Sequence, residues 1–314
     1  LITDHGLRGL ASLTRIDTTR SLWNSLADFF RDPRLRQLFA RYATYCGSSP
    51  WLAPATLNVI AHVEREGVFT VEGGMYRVAE ALSALPPCRD YRTGAQVFLM
   101  PRSRDALFDA MAQSPDAILL AGGTDLGLRV SKDREAMPAV ISTAAVEELR
   151  RIASGDDAIE IGGAVTYTEA LPLVDKHFPS FGALVRRIGS RQIRNLGTIA
   201  GNLATASPIG DTLPCLIALD ATVTLASRAG ERTLRVESFI TGYRKTALAA
   251  GEIIASIRIP LLPPGQKFSV YKLSKRFDQD ISTVIAAFCL DRQDGKVRAL
   301  RAAYGGMAAR AMRA

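Results

Sequence analysis

The sequence predicts an α+β protein in which a mainly helical segment precedes alternating strands and helices, followed by antiparallel strands. Three observations support this fold class. Apolar residues recur at three- and four-residue intervals in the first part of the 314-residue chain. After about residue 91, short apolar runs alternate with helical patterns. From Thr222 onward, tight turns separate the apolar runs, which is typical of antiparallel strands.

Residues 1–84 are predicted to be helical. In the stretches 22–30 and 35–39, aromatic and aliphatic residues fall on one helix face. Asp32 followed by Pro33 marks a helix start, because the carboxylate can accept hydrogen bonds from free N–H groups and proline suits the first helical position. A further helix is predicted from Tyr76 to about Leu85. The proline-rich residues 85–95 are predicted to be a linker or junction.

Two further domains are predicted after the linker. Residues 96–264 should form one domain, with helices over residues 101–113, 168–174, 181–188 and 214–219 and strands over residues 117–120, 140–142, 159–161, 222–225, 232–236 and 252–259. Residues 265–314 should begin an antiparallel α+β C-terminal domain that is truncated at Ala314. The pair Asp294-Gly295 marks a hairpin turn in it.

Composition argues against several classes of function. The net charge is +8, but the basic residues are spread along the chain, which argues against nucleic-acid binding. The four cysteines, Cys46, Cys88, Cys215 and Cys289, form no C-x-x-C pair and have no histidine at ligand spacing, so we predict buried thiols and no metal site. With no apolar run long enough for a membrane span and no export signal, the sequence predicts a cytoplasmic protein.

Two glycine-containing loops predict a site for a phosphate-bearing ligand. In residues 191–211, RQIRNLGTIAGNLATASPIGD, Gly197 and Gly201 permit a close approach of the backbone, and Asp211 suits sugar hydroxyls. Residues 119–127, LLAGGTDLG, follow an apolar run, as a glycine turn does when its N–H groups face a diphosphate. Either loop alone is better explained as a plain strand-to-helix turn.

Four motifs together point to a known family: AGGTD at 121–125, GTIAGN at 197–202, SPIGD at 207–211 and YKLSKRFDQDI at 271–281. With these motifs in this order, residues from about 91 to 314 resemble the flavin-binding part of bacterial xanthine dehydrogenase small subunits. The resemblance implies a molybdopterin dehydrogenase FAD-binding domain of the PCMH type, with two α/β subdomains that clasp FAD, and then the first strands of a C-terminal domain.

The same resemblance implies the cofactor-binding residues, but no catalytic residue and no metal ligand. The backbone of the two glycine loops would donate to the diphosphate, Asp211 would accept from sugar or ribityl hydroxyls, and Lys272 would lie near the flavin, where a cation favours an anionic reduced ring. Position Ile188 departs from the family, since many members carry an aromatic residue there that stacks on the flavin. The implied residues are Leu119, Leu120, Ala121, Gly122, Gly123, Thr124, Asp125, Leu126, Ile188, Thr198, Ile199, Ala200, Gly201, Asn202, Asp211, Ile254 and Lys272.

The first part of the chain resembles a different family. FRDPRLRQLFARYATYCGSSP at 30–50 and VEGGMYRVAE at 71–80 make residues 1–84 similar to an internal fragment of a carotenoid dehydrogenase of the phytoene desaturase family. No G-x-G-x-x-G occurs before Pro86, so this fragment should lack a cofactor site of its own. The chain would then join two unrelated fragments near residues 84–90, through a genuine fusion or an error of sequence assembly, and we favour the error.

The resemblance implies an FAD-dependent oxidoreductase segment that passes electrons from iron–sulfur clusters through FAD to NAD. The clusters and the molybdenum cofactor would reside in missing sequence or in a partner, namely a molybdenum-binding large subunit and an iron–sulfur domain. This chain alone is not expected to hydroxylate purines. Whether NAD or oxygen is the acceptor, and which substrate feeds the flavin, stays open. The alternatives are a carotenoid desaturase-related oxidoreductase and a non-catalytic chimeric or truncated fusion.

Overall fold

The computed structural model describes residues 17, 19–41, 43, 49–57, 90–94 and 96–314. The chain divides into two compact units, Leu1–Pro87 and Cys88–Ala314. The helix predicted over residues 76–85, Cys46 and Cys88 lie outside the described residues.

The described part of the first unit contains two short helices, α1 (Leu22–Phe29) and α2 (Pro33–Ala40). Asp32 caps α2 by accepting a hydrogen bond from the Arg34 N–H at 2.8 Å, so the predicted helix start is confirmed. The helices and the 3₁₀ turn Ala55–Leu57 surround a small apolar cluster. Its buried members are Leu22, Leu26, Ala40, Ala43 and Ala53.

The second unit begins with a mixed sheet in the order β1-β2-β4-β3. Strands β2, β4 and β3 are parallel, and β1 pairs antiparallel at the edge. Two helices connect the parallel strands, and the first begins at Arg104, later than predicted, because the Ser103 hydroxyl caps it. The elements are β1 (Tyr91–Thr93), β2 (Gln96–Leu99), α3 (Arg104–Gln113), β3 (Ile118–Leu120), α4 (Leu126–Ser131) and β4 (Ala139–Ser142).

A five-stranded sheet in the order β5-β6-β11-β7-β8 follows, and all of its pairs are antiparallel. Strand β11 alternates strictly between buried and half-buried residues, as expected for a strand with one face on the core. Helices cover the buried face, where Phe178, Phe181 and Ile257 belong to the main core. The elements are β5 (Ile152–Ser154), β6 (Ala158–Gly162), α5 (Tyr167–His177), α6 (Pro179–Arg186), α7 (Arg191–Leu196), α8 (Ile199–Thr205), α9 (Leu213–Ala218), β7 (Thr222–Ser227), β8 (Gly230–Arg235), α10 (Val236–Phe239), β9 (Ile240–Gly242), β10 (Lys245–Thr246) and β11 (Ile253–Pro260).

The chain ends in an antiparallel meander of β12 (Gln266–Leu273), β13 (Val284–Gln293), β14 (Lys296–Gly305) and β15 (Met312–Arg313). The predicted hairpin turn at Asp294-Gly295 is confirmed, with φ of 51° and 74° at these two residues. One face of the meander contributes Ile285, Ala287 and Ala303 to the main core. This third sheet is therefore packed onto the helices of the second sheet.

Among the described residues, no helix is both long and apolar enough to cross a lipid bilayer. Cys215 and Cys289 are buried as free thiols. Burial raises the pKa of Cys215 well above its usual value, and the negative charge of Asp211 raises it further. A thiol in such a setting is unreactive.

Candidate functional site

A cavity of about 700 Å³ lies in the second unit, beside parts of the first mixed sheet, the five-stranded sheet and the terminal meander. Strands β9 and β10 form a separate antiparallel pair. The cavity is lined by the loop after β3, the turn between α7 and α8, residues of β11, and the connection from β12 to β13. This volume is within the usual range for cofactor sites.

All of the predicted cofactor-binding residues except Leu120 and Ile199 line this cavity. The Leu120 carbonyl accepts the Thr143 N–H at 2.9 Å within the first sheet. Ile199 is 1% exposed and belongs to the main core. The side chain of Ile199 thus serves packing, and the Leu120 carbonyl holds the end of β3 to the end of β4.

The two glycine loops touch each other at Gly122. A Cβ atom at this position would lie 1.8 Å from the Leu196 carbonyl oxygen, far inside any allowed contact. Gly123 has φ of +69°, a left-handed conformation that side chains disfavour. The motif predicts that the glycines permit a close approach of phosphate. In the structure, position 122 requires glycine because the two loops contact each other there.

The second loop is ordered by Thr198, the N-cap of α8. Its hydroxyl accepts the Gly201 N–H at 2.8 Å, and its carbonyl accepts the Asn202 N–H at 3.1 Å. Two of the predicted main-chain donors are therefore already engaged. The N–H groups of Ile199 and Ala200, which start the helix, are the ones left for a ligand.

A buried charged cluster consists of Asp211, Lys272 and Ser282. The Lys272 ammonium donates to Asp211 Oδ2 at 2.6 Å, and the Ser282 hydroxyl donates to Asp211 Oδ1 at 2.6 Å. The Lys272 side chain is only 2% exposed. The motifs predict separate contacts of Asp211 and Lys272 with the cofactor, whereas in the structure these two side chains bind each other. Ser282 is not predicted, because the sequence pattern carries no signal for it.

Arg187 fixes the connection between β12 and β13 beside the cavity. Its guanidinium donates to the carbonyl oxygens of Lys272 at 3.2 Å and Phe277 at 3.1 Å, and it lies over the Phe277 ring at 4.4 Å. The neighbouring Ile188 lines the cavity. In the same connection, the Arg276 N–H donates to Asp280 and holds the pKa of that carboxyl below its usual value.

Three further residues line the cavity although no motif in the sequence predicts them: Tyr167, Arg129 and Arg244. Arg244 contacts both carboxylate oxygens of Asp125 at 3.3 Å, and both of these side chains are about half exposed. Each of the two arginines beside the first glycine loop is paired with a carboxylate, Arg244 with Asp125 and Arg129 with Glu135. Ile188 and Ile254 provide aliphatic surfaces. A flat ring bound there would pack on branched side chains and not on an aromatic one.

The residues present fit a flavin dinucleotide. Gly122 and Gly123 leave main chain exposed to a ligand, and the apolar residues Ile188 and Ile254 line the same cavity as the polar cluster of Asp211, Lys272 and Ser282. In the part of the chain that the structure describes, no group of three or more His, Cys, Asp or Glu residues is placed to hold a metal ion.

Comparison with known proteins agrees with this geometry. Residues 91–262 match the family described as the FAD binding domain in molybdopterin dehydrogenase, and residues 269–314 match the CO dehydrogenase flavoprotein C-terminal domain. The structure is similar to quinoline 2-oxidoreductase from Pseudomonas putida 86, with a TM-score of 0.65 and 28% identity, over 71% of this chain and 78% of that one. The predicted fold class is confirmed.

A different protein shares similarity with another part of the chain. Hydroxyneurosporene desaturase of Rubrivivax gelatinosus is 57% identical over 93 residues, which are 30% of this chain and 18% of that protein. The predicted resemblance to a carotenoid dehydrogenase fragment is confirmed.

Two relatives cover the flavin part. Xanthine dehydrogenase/oxidase of Rattus norvegicus is 31% identical over 231 residues, 69% of this chain and 17% of that protein. The nicotinate dehydrogenase FAD-subunit of Eubacterium barkeri is 32% identical over 216 residues, 67% of this chain and 73% of that protein. The chain thus spans less than a fifth of the desaturase and of the rat enzyme. It belongs to the family of FAD-binding domains in molybdopterin dehydrogenases.

Proposed function

We propose that this chain holds FAD in the cavity and acts as the electron-transferring flavin segment of a molybdenum hydroxylase related to xanthine dehydrogenase. The observation that carries the proposal is that both glycine loops and the buried Asp211–Lys272 pair surround one cavity of about 700 Å³. Bound FAD would supply the redox chemistry, and the protein would bind, orient and shield it.

The roles of the residues follow from their positions. The free N–H groups of Ile199 and Ala200 would donate to the diphosphate at the start of α8. Arg244 would lie nearby with its charge balanced by Asp125. Ile188 and Ile254 would contact the ring system. Because Asp211 neutralises Lys272, the pair would present a local dipole to the cofactor and not a full positive charge.

The partners and the acceptor are further parts of the proposal. Iron–sulfur clusters and a molybdenum centre on a partner subunit or domain would supply electrons, and NAD would accept them, with the protein in the cytoplasm. The name FAD-subunit of the Eubacterium barkeri relative supports a division of labour among chains. Because the Rattus norvegicus relative is named a xanthine dehydrogenase/oxidase, NAD and oxygen are the two acceptors to test, and we propose NAD as the acceptor and purine catabolism as the setting.

The test is reconstitution of the purified full chain with excess FAD, followed by removal of free cofactor. We expect about one flavin per chain from its absorbance, and bleaching of that flavin by NADH without oxygen. Absence of bound flavin would overturn the proposal. Bound flavin that NADH does not reduce would overturn NAD as the acceptor while leaving FAD binding intact.

A second candidate is a fusion whose first unit has no part in flavin chemistry. The observation that favours it is the division of the chain into two units, together with the desaturase similarity. Limited proteolysis that releases residues 1–87 while the remainder still binds FAD would support it. Sequencing the source DNA across codons 80–95 would show whether the junction is genuine.

A further inference from the structure

Tyr167 is a cavity residue with a hydroxyl that the protein leaves available. It is the first residue of α5 and is only 4% exposed, yet it lines the cavity. No hydrogen bond described for residues 90–94 and 96–314 uses its hydroxyl, and this oxygen is not one of the described side-chain atoms that are fully buried without a partner. The hydroxyl is therefore accessible and can donate to a ligand in the cavity.

The backbone and the ring of Tyr167 are both fixed. The Tyr167 N–H donates to the Gly197 carbonyl at 2.8 Å. Thr166 and Glu169 form a complete capping box at the start of the same helix. The Tyr167 ring lies against Gly197, where an added Cβ atom would be 3.1 Å from the ring. The hydroxyl is therefore held in place before any ligand arrives.

The residues around this hydroxyl favour its use as a hydrogen-bond donor, so its partner should be an acceptor. Burial, and then the negative charge of Asp211, raise the pKa of Tyr167, so the phenol keeps its proton. Both carboxylate oxygens of Asp211 already accept hydrogen bonds, from Lys272 and Ser282. The neutral phenol is thus free to donate to the ligand.

We infer that Tyr167 is a flavin-binding residue whose hydroxyl donates a hydrogen bond to an oxygen of the ribityl phosphate. The position supports this assignment, because the Tyr167 ring contacts Gly197, beside the turn proposed for the diphosphate, and Tyr167 lines the same cavity as Asp211, proposed for the sugar hydroxyls. This inference rests on the proposed FAD binding.

The test compares Tyr167→Phe with the wild-type full chain for the binding of FAD, FMN and AMP by titration calorimetry. Tyr167→Phe keeps the ring against Gly197 and removes only the hydroxyl. We expect FAD and FMN to bind about tenfold more weakly, and AMP, which lacks the phosphate on the ribityl side, to bind unchanged. The control is Tyr91→Phe, at an edge-strand tyrosine that is 61% exposed and does not line the cavity.

The melting temperature of the protein without cofactor separates binding from folding. Because the hydroxyl has no protein partner, Tyr167→Phe should melt at the same or a higher temperature than the wild type. A lower melting temperature with unchanged FAD and FMN affinity would overturn the inference, and so would a loss confined to AMP. If the wild-type chain bound none of the three ligands, the proposed function itself would fail.

Discussion

The cavity has two walls that are built by different means. One wall is main chain, where the two glycine loops meet because Gly122 has no side chain to strike the Leu196 carbonyl. The other wall is side chain, where Asp211, Lys272 and Ser282 are joined by 2.6 Å hydrogen bonds. The first wall depends on the absence of a side chain at Gly122, and the second depends on the pairing of opposite charges. Adding one methyl group should therefore damage the first, and removing one charge should damage the second.

The largest expected effect is at the side-chain wall. In Lys272→Met, Asp211 would remain buried and charged with only Ser282 as a partner. Breaking a buried pair in this way costs about 3–5 kcal/mol. We expect the free energy of unfolding, measured by urea denaturation of the cofactor-free chain, to fall by about this amount.

The matched control for Lys272→Met is the double variant that also carries Asp211→Asn, since it removes both charges. It should be more stable than Lys272→Met alone, so that the coupling energy of the two sites is clearly favourable. A loss below about 1 kcal/mol in Lys272→Met, which is typical of exposed pairs, would show that the cluster is open to solvent.

A smaller effect is expected at the main-chain wall. In Gly122→Ala the new methyl group would force the two loops apart, and overpacking of this kind costs about 1–3 kcal/mol. We expect a lower melting temperature together with weaker FAD binding, measured by calorimetric titration, because both loops shift.

Gly127→Ala is the control for this prediction. Gly127 lies in α4 next to the same loop, and an added Cβ atom there meets nothing within 4 Å. A helical Gly-to-Ala change should stabilise by about 0.5–1 kcal/mol. If Gly122→Ala behaved like Gly127→Ala, the loops would not depend on their contact.

The two walls also differ in how far the sequence could predict them. The glycine loops were recognisable, and local signals such as Asp32-Pro33 and Asp294-Gly295 gave correct element boundaries. The reason for Gly122 was not predictable, because the Leu196 carbonyl approaches it only in the folded chain. Likewise, Lys272 and Asp211 are 61 positions apart in the sequence, and no local pattern predicts that they form an ion pair. The pairing of β6 with β11 was not predictable either, because these strands are also far apart in the sequence.

The smallest expected effect comes from the Arg232–Glu252 ion pair, which lies outside both walls. It is the partly exposed pair with which the buried Asp211–Lys272 pair is compared. Arg232 donates to both carboxylate oxygens of Glu252, at 2.6 and 2.8 Å, and lowers the pKa of Glu252 to about 2. Since the ordinary pKa is 4.5, this stabilisation is complete above pH 4.5 and is lost as the pH falls toward 2. Because Arg232 is 44% exposed, solvent screening reduces the gain, and Glu252→Gln should cost about 1 kcal/mol at pH 7.

Unfolding free energies of Glu252→Gln and the wild type, measured from pH 7 to pH 2, should converge at the acid end. A constant difference would contradict the ion-pair explanation. Gly122→Ala introduces no titratable group, so its deficit should persist over the same range. If the Gly122→Ala deficit also shrank on acidification, a charge and not a steric contact would hold the two glycine loops together, and the distinction between the walls would fail.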